Sequence, residues 1–183
     1  MIEIQNLSVK LGEKTIFRDY SMTLPDEGVV LISGESGIGK TTLLRVLCGL
    51  QKPDTGRITG LGGRKISFVF QEPRLLDHLT ALENVALVSD RTTAEKLLRE
   101  LNMDNELRMK AGKLSGGQKQ RVSLARAFAF SDDVVLLDEP FTGLDEQNKQ
   151  KATRLIRTAR LAIIVSHDAK DADLLSIDEK IQL

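Results

Sequence analysis

The stretch Gly34–Thr42, GESGIGKTT, sets the strongest limit on what this chain can fold into. It follows VVLIS, a β-branched run with the character of a strand buried on both faces. It precedes KTTLLRVLCGL, whose leucines recur at helical spacing and stop at Gly49. Gly34, Gly39, Lys40 and Thr41 satisfy G-x-x-x-x-G-K-[ST] without a gap. Glycines let backbone N–H groups turn inward and approach an anion closely. A helix starting at Lys40 adds its positive end at the same point. A glycine-rich turn between ordinary elements is the alternative, but strand, loop and helix stand in the order a phosphate cradle requires. In that cradle Gly34, Glu35, Ser36, Gly37, Ile38, Gly39, Lys40, Thr41 and Thr42 form the triphosphate-binding stretch. Lys40 reaches the β and γ phosphates, and the Thr41 hydroxyl ligates Mg²⁺.

A second piece is VVLLDE, Val134 to Glu139. Asp138 ends a buried apolar run, and a carboxylate there faces the edge where such sheets bind ligands. It is placed to hold Mg²⁺, directly or through water. Glu139 is a candidate general base for in-line attack of water on a γ-phosphate. Away from a phosphate loop, two solvated acids at a strand end would be the plainer reading. A third piece is LSGGQKQR, Leu114 to Arg121. Ser-Gly-Gly opening a helix reads equally as a simple N-cap by Ser115 or as a second anion site.

Around these motifs the chain alternates apolar runs with helical patterns. IEIQNLSV and KTIFRDYSMTL read as half-buried strands, KISFVFQ as a strand reaching Gln71, and LAIIVSHD as a third fully buried strand. The pattern is helical from Thr80 to about Lys113, again over GGQKQRVSLARAFAF, and over DEQNKQKATRLIRTAR as an amphipathic helix. DLLSIDEKIQL reads as a closing hairpin turning at Asp178-Glu179. The expected fold is α/β, with a mainly parallel core sheet, an antiparallel β portion and a small helical subdomain. The 183 residues suffice for one such domain, with residues 1–70 and 131–183 forming the core and about 71–130 the helical subdomain.

Composition narrows the class. Lys plus Arg, 26, equals Asp plus Glu, 26, so no basic field favours nucleic acid. Tryptophan is absent and aromatics are few, which argues against a stacking platform for single strands. Cys48 is the single cysteine, so no internal disulfide forms; this fits a reducing compartment. The N-terminus MIEIQNLSVK lacks the apolar block of a signal peptide, and no run approaches the roughly 18 to 20 apolar residues that span a bilayer.

Taken with LSGGQ at Leu114–Gln118 upstream of VVLLDEP, these motifs make the chain resemble the ATP-binding subunit of an ABC (ATP-binding cassette) transporter over essentially its whole length. The resemblance implies a P-loop NTPase of ABC ATPase type that binds ATP and Mg²⁺ and hydrolyses ATP. It implies head-to-tail pairing with a second such subunit, as a homodimer if both sites are this chain's own. Ser115, Gly116, Gly117 and Gln118 would then contact the γ-phosphate side of ATP held by the partner. It assigns Gln71 to sensing Mg²⁺ and the attacking water, Leu144 and Asp145 to the dimer interface, and His167 to the γ-phosphate. On their own, Gln71 and His167 would read as an ordinary strand-end polar residue and a surface histidine. It implies a transmembrane permease, a solute-binding protein, no nucleic acid, and a cytoplasmic place on the inner face of the cell membrane.

The chain departs from the family pattern at three points. Leu11, in LSVKLGEKT, stands where members carry an aromatic that stacks on adenine. The segment between Gln71 and Leu114 is short for the family, and the chain stops soon after His167, leaving no C-terminal regulatory domain. FQEPRLLDHLTALENV resembles the same region in ATPases of importers for nitrate, sulfonates and taurine, with Asp77-His78 in place of Pro-Trp. A non-transport ATPase that switches a membrane or soluble partner stays open beside the transport reading. The DNA-repair and chromosome types carry a long coiled coil before the signature, and the translation types carry two cassettes.

Overall fold

The computed structural model describes residues 1–167 and 169–183, with Ala169, Lys170 and Ala172 described by their backbone alone. Two sheets form. β1 (Ile2–Leu11) pairs antiparallel with β2 (Lys14–Leu24) on one side and with β4 (Thr55–Thr59) on the other. The second sheet is five-stranded and wholly parallel, in the order β5 (Ile66–Val69), β6 (Val134–Asp138), β7 (Leu161–Val165), β3 (Gly28–Ser33), β8 (Glu179–Gln182). The mainly parallel core with an antiparallel portion is therefore present.

The central strands explain their own sequence. On β3, Val30 and Ile32 enter one core while Val29 and Leu31 enter another. β6 and β7 divide in the same way: Leu136 and Ile163 lie on one side, Leu137 and Ile164 on the other. Successive side chains of a strand point to opposite faces, so a strand covered on both faces must be apolar throughout. One face is covered by the antiparallel sheet and by α1 (Lys40–Leu47), through Ile2, Ile4, Phe17, Leu43 and Leu44. The other is covered by helices that include α4 (Gly116–Phe130) and α5 (Glu146–Ile156).

The helical segment holds α2 (Ala81–Ala86), opened by a Thr80–Glu83 capping box, and α3 (Arg91–Glu100), capped by Asp90. Both pack on α4. The helical pattern expected to Lys113 is interrupted between α2 and α3 and ends at Glu100. Asn102 takes a left-handed backbone (φ 61°), and turns run on to a single 3₁₀ turn at Ala111–Lys113. Leu101 and Met103 stay fully buried there, so their apolar spacing served packing rather than a helix.

Four further expectations need correction. β1 does not alternate evenly: Ile2 and Ile4 are followed by Leu7 and Val9 as its buried residues, because the register shifts between Ile4 and Leu7. Asn6 there has φ 51°, and its N–H donates to Ser21 Oγ at 2.9 Å. The expected strand to Gln71 ends at Val69. The closing hairpin is absent: α6 (Ala169–Leu175) buries Leu175, and β8 joins the parallel sheet beside β3. Asp178 does not turn a hairpin; its carboxylate accepts the Val29 N–H at 2.7 Å and so seats β8 on that edge. The expected strand LAIIVSHD ends at Val165, and its last residue, Asp168, lies outside the described residues.

Candidate functional site

In a parallel sheet all strand ends of one kind lie on one edge, and the chain places its chemistry there. The loop Gly34–Gly39 leaves β3, Asp138 ends β6, Ser166 and His167 follow β7, and Gln71 lies two residues beyond β5. Between them lies a cleft of about 580 Å³. Ser36, Gly37, Gly39, Lys40, Thr41 and Thr42 line it, together with Gln71, Asp138, Glu139 and His167.

The loop geometry accounts for its sequence. Gly39 has φ 122°, and a β-carbon there would stand 2.7 Å from Ile16 Cγ2 and 2.8 Å from Phe17 Cζ. Only glycine fits a backbone so turned and so closely met. α1 has no side-chain cap and no acidic residue in its first turn, which leaves its positive end open toward an anion. The buried Lys40 ammonium donates to Gly34 O at 2.8 Å and Glu35 O at 2.9 Å, which aims it across the loop mouth.

Asp138 is buried, with 3% of its surface exposed, and its Oδ1 accepts from Thr41 Oγ1 at 3.1 Å. Burial pushes its carboxyl above the ordinary range, opposed by the Thr41 hydroxyl and the charges of Arg45 and Lys40. An acid held in so dry a place, beside a hydroxyl and an aligned phosphate loop, suits a hard cation. Among the described residues no cluster of His, Cys, Asp and Glu could hold a metal by itself.

Glu139 adopts φ 51°, a left-handed backbone uncommon for a residue with a side chain. Its N–H donates to Val165 O at 2.9 Å, and its Oε1 lies 2.8 Å from His167 Nδ1. The Glu139 side chain is 11% exposed and that of His167 is 75% exposed, so the pair runs from the protein into the cleft mouth.

Leu11 also reaches this cleft, 42% exposed. Sequence reasoning missed Lys14 and Ile16, which line it too. Their signal was available: a Gly12-Glu13 turn makes Lys14 the cross-strand partner of Leu11, and Ile16 falls on the same face two residues on.

The signature segment lies elsewhere. Ser115 and Gln118 satisfy each other in a capping box, with Ser115 N–H donating to Gln118 Oε1 at 2.9 Å. Gln118 Nε2 also donates to Glu106 Oε1 at 3.2 Å. Of the two readings, the simple N-cap is what this chain makes by itself. Among the residues lining the cleft at Lys40 there is none from Ser115 to Gln118. Gly117 instead abuts Gly143 O, which a β-carbon at Gly117 would approach far inside van der Waals distance. Leu144 lines a second, smaller cleft that shares Glu139 and His167, and Asp145 caps α5 through Asn148 N–H at 2.9 Å. Gln120, also unanticipated, is buried and donates to Pro140 O at 3.2 Å, tying α4 to the segment after Glu139.

A phosphate loop after a buried parallel strand, with an acid ending another central strand of the same sheet, defines a P-loop nucleotide-binding protein. The chain belongs to the ABC transporter family, whose match spans residues 17–142. It is 37% identical over 194 residues to a probable sulfate/thiosulfate import ATP-binding protein of Chlorella vulgaris, covering 93% of this chain and 82% of that one. It is 34% identical over 194 residues to the corresponding protein of Synechocystis sp., covering 93% of this chain and 55% of that one. Against such bacterial relatives, the Escherichia coli K12 protein among them at 54%, the chain spans about half their length. It superposes on a dimeric ATP-binding cassette solved in a post-hydrolysis state bound to ADP and Pi, with TM-score 0.87, 29% identity, and coverage of 100% of this chain and 94% of that one.

Proposed function

We propose that the chain is the ATP-binding and ATP-hydrolysing subunit of a solute importer, working as a head-to-tail pair on a transmembrane permease. One observation carries this reading. Lys40, Thr41, Gln71, Asp138, Glu139 and His167 converge on one cleft, while none of Ser115–Gln118 lines it on the same chain. A nucleotide in that cleft therefore gains no cover from its own signature, and a second copy supplies it. The dimeric structural neighbour and the relatives' import names support the same arrangement. Import is the direction we propose, with a solute-binding protein delivering the solute outside.

In the site, Gly34–Gly39 and Lys40 bind and orient the triphosphate. Thr41, Asp138 and the Gln71 amide oxygen would hold Mg²⁺, which when bound neutralises charge on the β and γ phosphates. Glu139 takes the proton of the attacking water, and His167 fixes the carboxylate's direction. Leu11 and Ile16 press on the base by apolar contact with no π surface. Leu11→Tyr should therefore tighten ATP binding by about 5- to 30-fold, the worth of about 1–2 kcal/mol of base–aromatic stacking, read by fluorescent-nucleotide titration. Unchanged affinity would place the base elsewhere.

No helix among the described residues is long and apolar enough to cross a membrane. The membrane contact we propose is a groove of about 330 Å³ between the end of α1, β5 and the end of α4, lined by Leu50, Phe68, Phe70, Val88 and Phe130. Leu50 is 61% exposed, and Phe130 49%. Apolar groups so exposed mark a contact surface. The site would then sit on the cytoplasmic face of the membrane. The test is to tag the Glu139→Gln chain in its native cells, solubilise membranes gently with ATP, and identify what co-purifies. A polytopic membrane protein in stoichiometric amount supports the transporter reading. Only a self-dimer or a soluble partner would overturn it in favour of an ATP-driven switch. Adding Phe130→Asp should lose the membrane partner and keep nucleotide binding.

A further inference from the structure

The loop that carries Gln71 is held by a residue far from it in sequence. Arg126, near the end of α4, donates from Nη1 to Arg74 O at 3.1 Å and from Nη2 to Pro73 O at 3.1 Å. A guanidinium is a rigid planar fork, and two carbonyls on its two arms fix a loop in orientation as well as distance. The group is half-buried in doing this, and burial lowers its pKa. A charge is kept in such a place only where it is hydrogen-bonded. The loop it holds is itself under strain: Arg74 has φ 41°, and its guanidinium lies 4.1 Å from the centre of the Phe70 ring, which stacks on Phe68 at 4.3 Å. Gln71 lies between these two fixed points, Phe70 on one side and the clamped Pro73 on the other.

The same helix opens at the signature. α4 starts at Gly116 behind the Ser115 cap and runs unbroken to Phe130. One rigid element therefore presents Ser115–Gln118 at one end and grips the Gln71 loop at the other. Arg126 also lines the apolar groove beside Phe70 and Phe130.

We infer that Arg126 is a positioning residue for Gln71, clamping Gln71's loop to the signature helix so that the two move together. It does not line the cleft at Lys40 and acts through the two carbonyls. Closure of the signature on a partner's nucleotide, or seating of a helix in the groove, then shifts Gln71 in this chain's own cleft. This rests on the reading of Gln71 given above, and the test separates the two.

Arg126→Lys keeps the charge and the stem but loses the fork, and Arg126→Gln removes the charge as well; the lysine variant carries the test if the glutamine variant does not fold. The clamp is read by trypsin cleavage of the full chain at the exposed Arg74–Leu75 bond, whose carbonyl Arg126 holds. Both variants should be cut there several-fold faster than the wild type, with the melting temperature little changed. Cleavage at the wild-type rate overturns the clamp. Its consequence is read in steady-state ATP hydrolysis, where kcat should fall about tenfold or more with KM within about twofold. Gln71→Ala should lose a similar factor, and the Arg126→Lys, Gln71→Ala double variant should lose no more than the larger single effect. Additive losses would mean that Arg126 acts through something other than Gln71 and overturn the inference. Normal turnover in Gln71→Ala alone would remove Gln71's assigned role, and the cleavage rate would still judge the clamp.

Discussion

Glu139→Gln should bind ATP as tightly as the native chain and hydrolyse it about 10²- to 10⁴-fold more slowly, the range a positioned general base contributes. The substitution keeps shape and the capacity to accept a hydrogen bond from His167, whose Nδ1 lies 2.8 Å from Glu139 Oε1 in the native chain. It removes the carboxylate's basicity and charge. The left-handed backbone at Glu139 is common to both variants, so the strain does not change sides. With turnover blocked, a nucleotide-bound pair should accumulate, seen as an ATP-dependent shift to twice the mass by size exclusion with light scattering. Hydrolysis near the native rate would remove Glu139 from its place as base. Slow hydrolysis with no shift in mass would leave Glu139 in place and count against the proposed pair.

Asp138→Asn should do two opposite things. Without nucleotide, it should raise the melting temperature at neutral pH. Burial raises the Asp138 carboxyl above its ordinary value, so deprotonation is easier in the unfolded chain than in the folded one. Stability is then lost as pH rises from the ordinary carboxylate value through the raised folded one, and an amide escapes that loss. With Mg²⁺ and ATP the order should invert, because a cation beside the carboxylate favours the charged form that burial opposed. The native chain should gain more on ligand addition than the asparagine variant. Hydrolysis by the variant should fall about a hundredfold or more, since metal-assisted charge stabilisation is worth several kcal/mol. Thermal melts at two pH values, with and without Mg²⁺ and ATP, read the whole pattern. A variant that melts below the native chain in the absence of nucleotide would refute the account of Asp138 as a strained carboxylate.

The parts that were legible in the sequence share one property: their cause is local. A glycine with φ 122°, such as Gly39, is required by the turn it makes, and the turn lies within its own loop. The Ser115 cap serves the Gln118 N–H, three residues on. VVLIS, VVLLD and LAIIV are apolar throughout because both faces of a central strand are covered. From these the parallel core, the phosphate loop and the acids at the end of β6 could be read, together with the signature helix.

What tertiary structure alone decided is a matter of which distant segments meet. Nothing near Glu179 says that β8 pairs parallel with β3, since an apolar alternation of that length suits a hairpin as well. The seat is made by Asp178 on the N–H of Val29, far back along the chain. Gly117 is glycine for the approach of Gly143 O as well as for any ligand, and only the folded chain brings those two backbones together. Arg126 reads as one more charge on a helix until α4 packs beside β5 and its fork meets Pro73 and Arg74. Residue pattern determined which elements form and where an anion could be held, because backbone geometry and burial are felt within a turn or a strand. Sheet order and helix packing decided which side chains act on one another, because those contacts exist only after distant segments have closed on a common core.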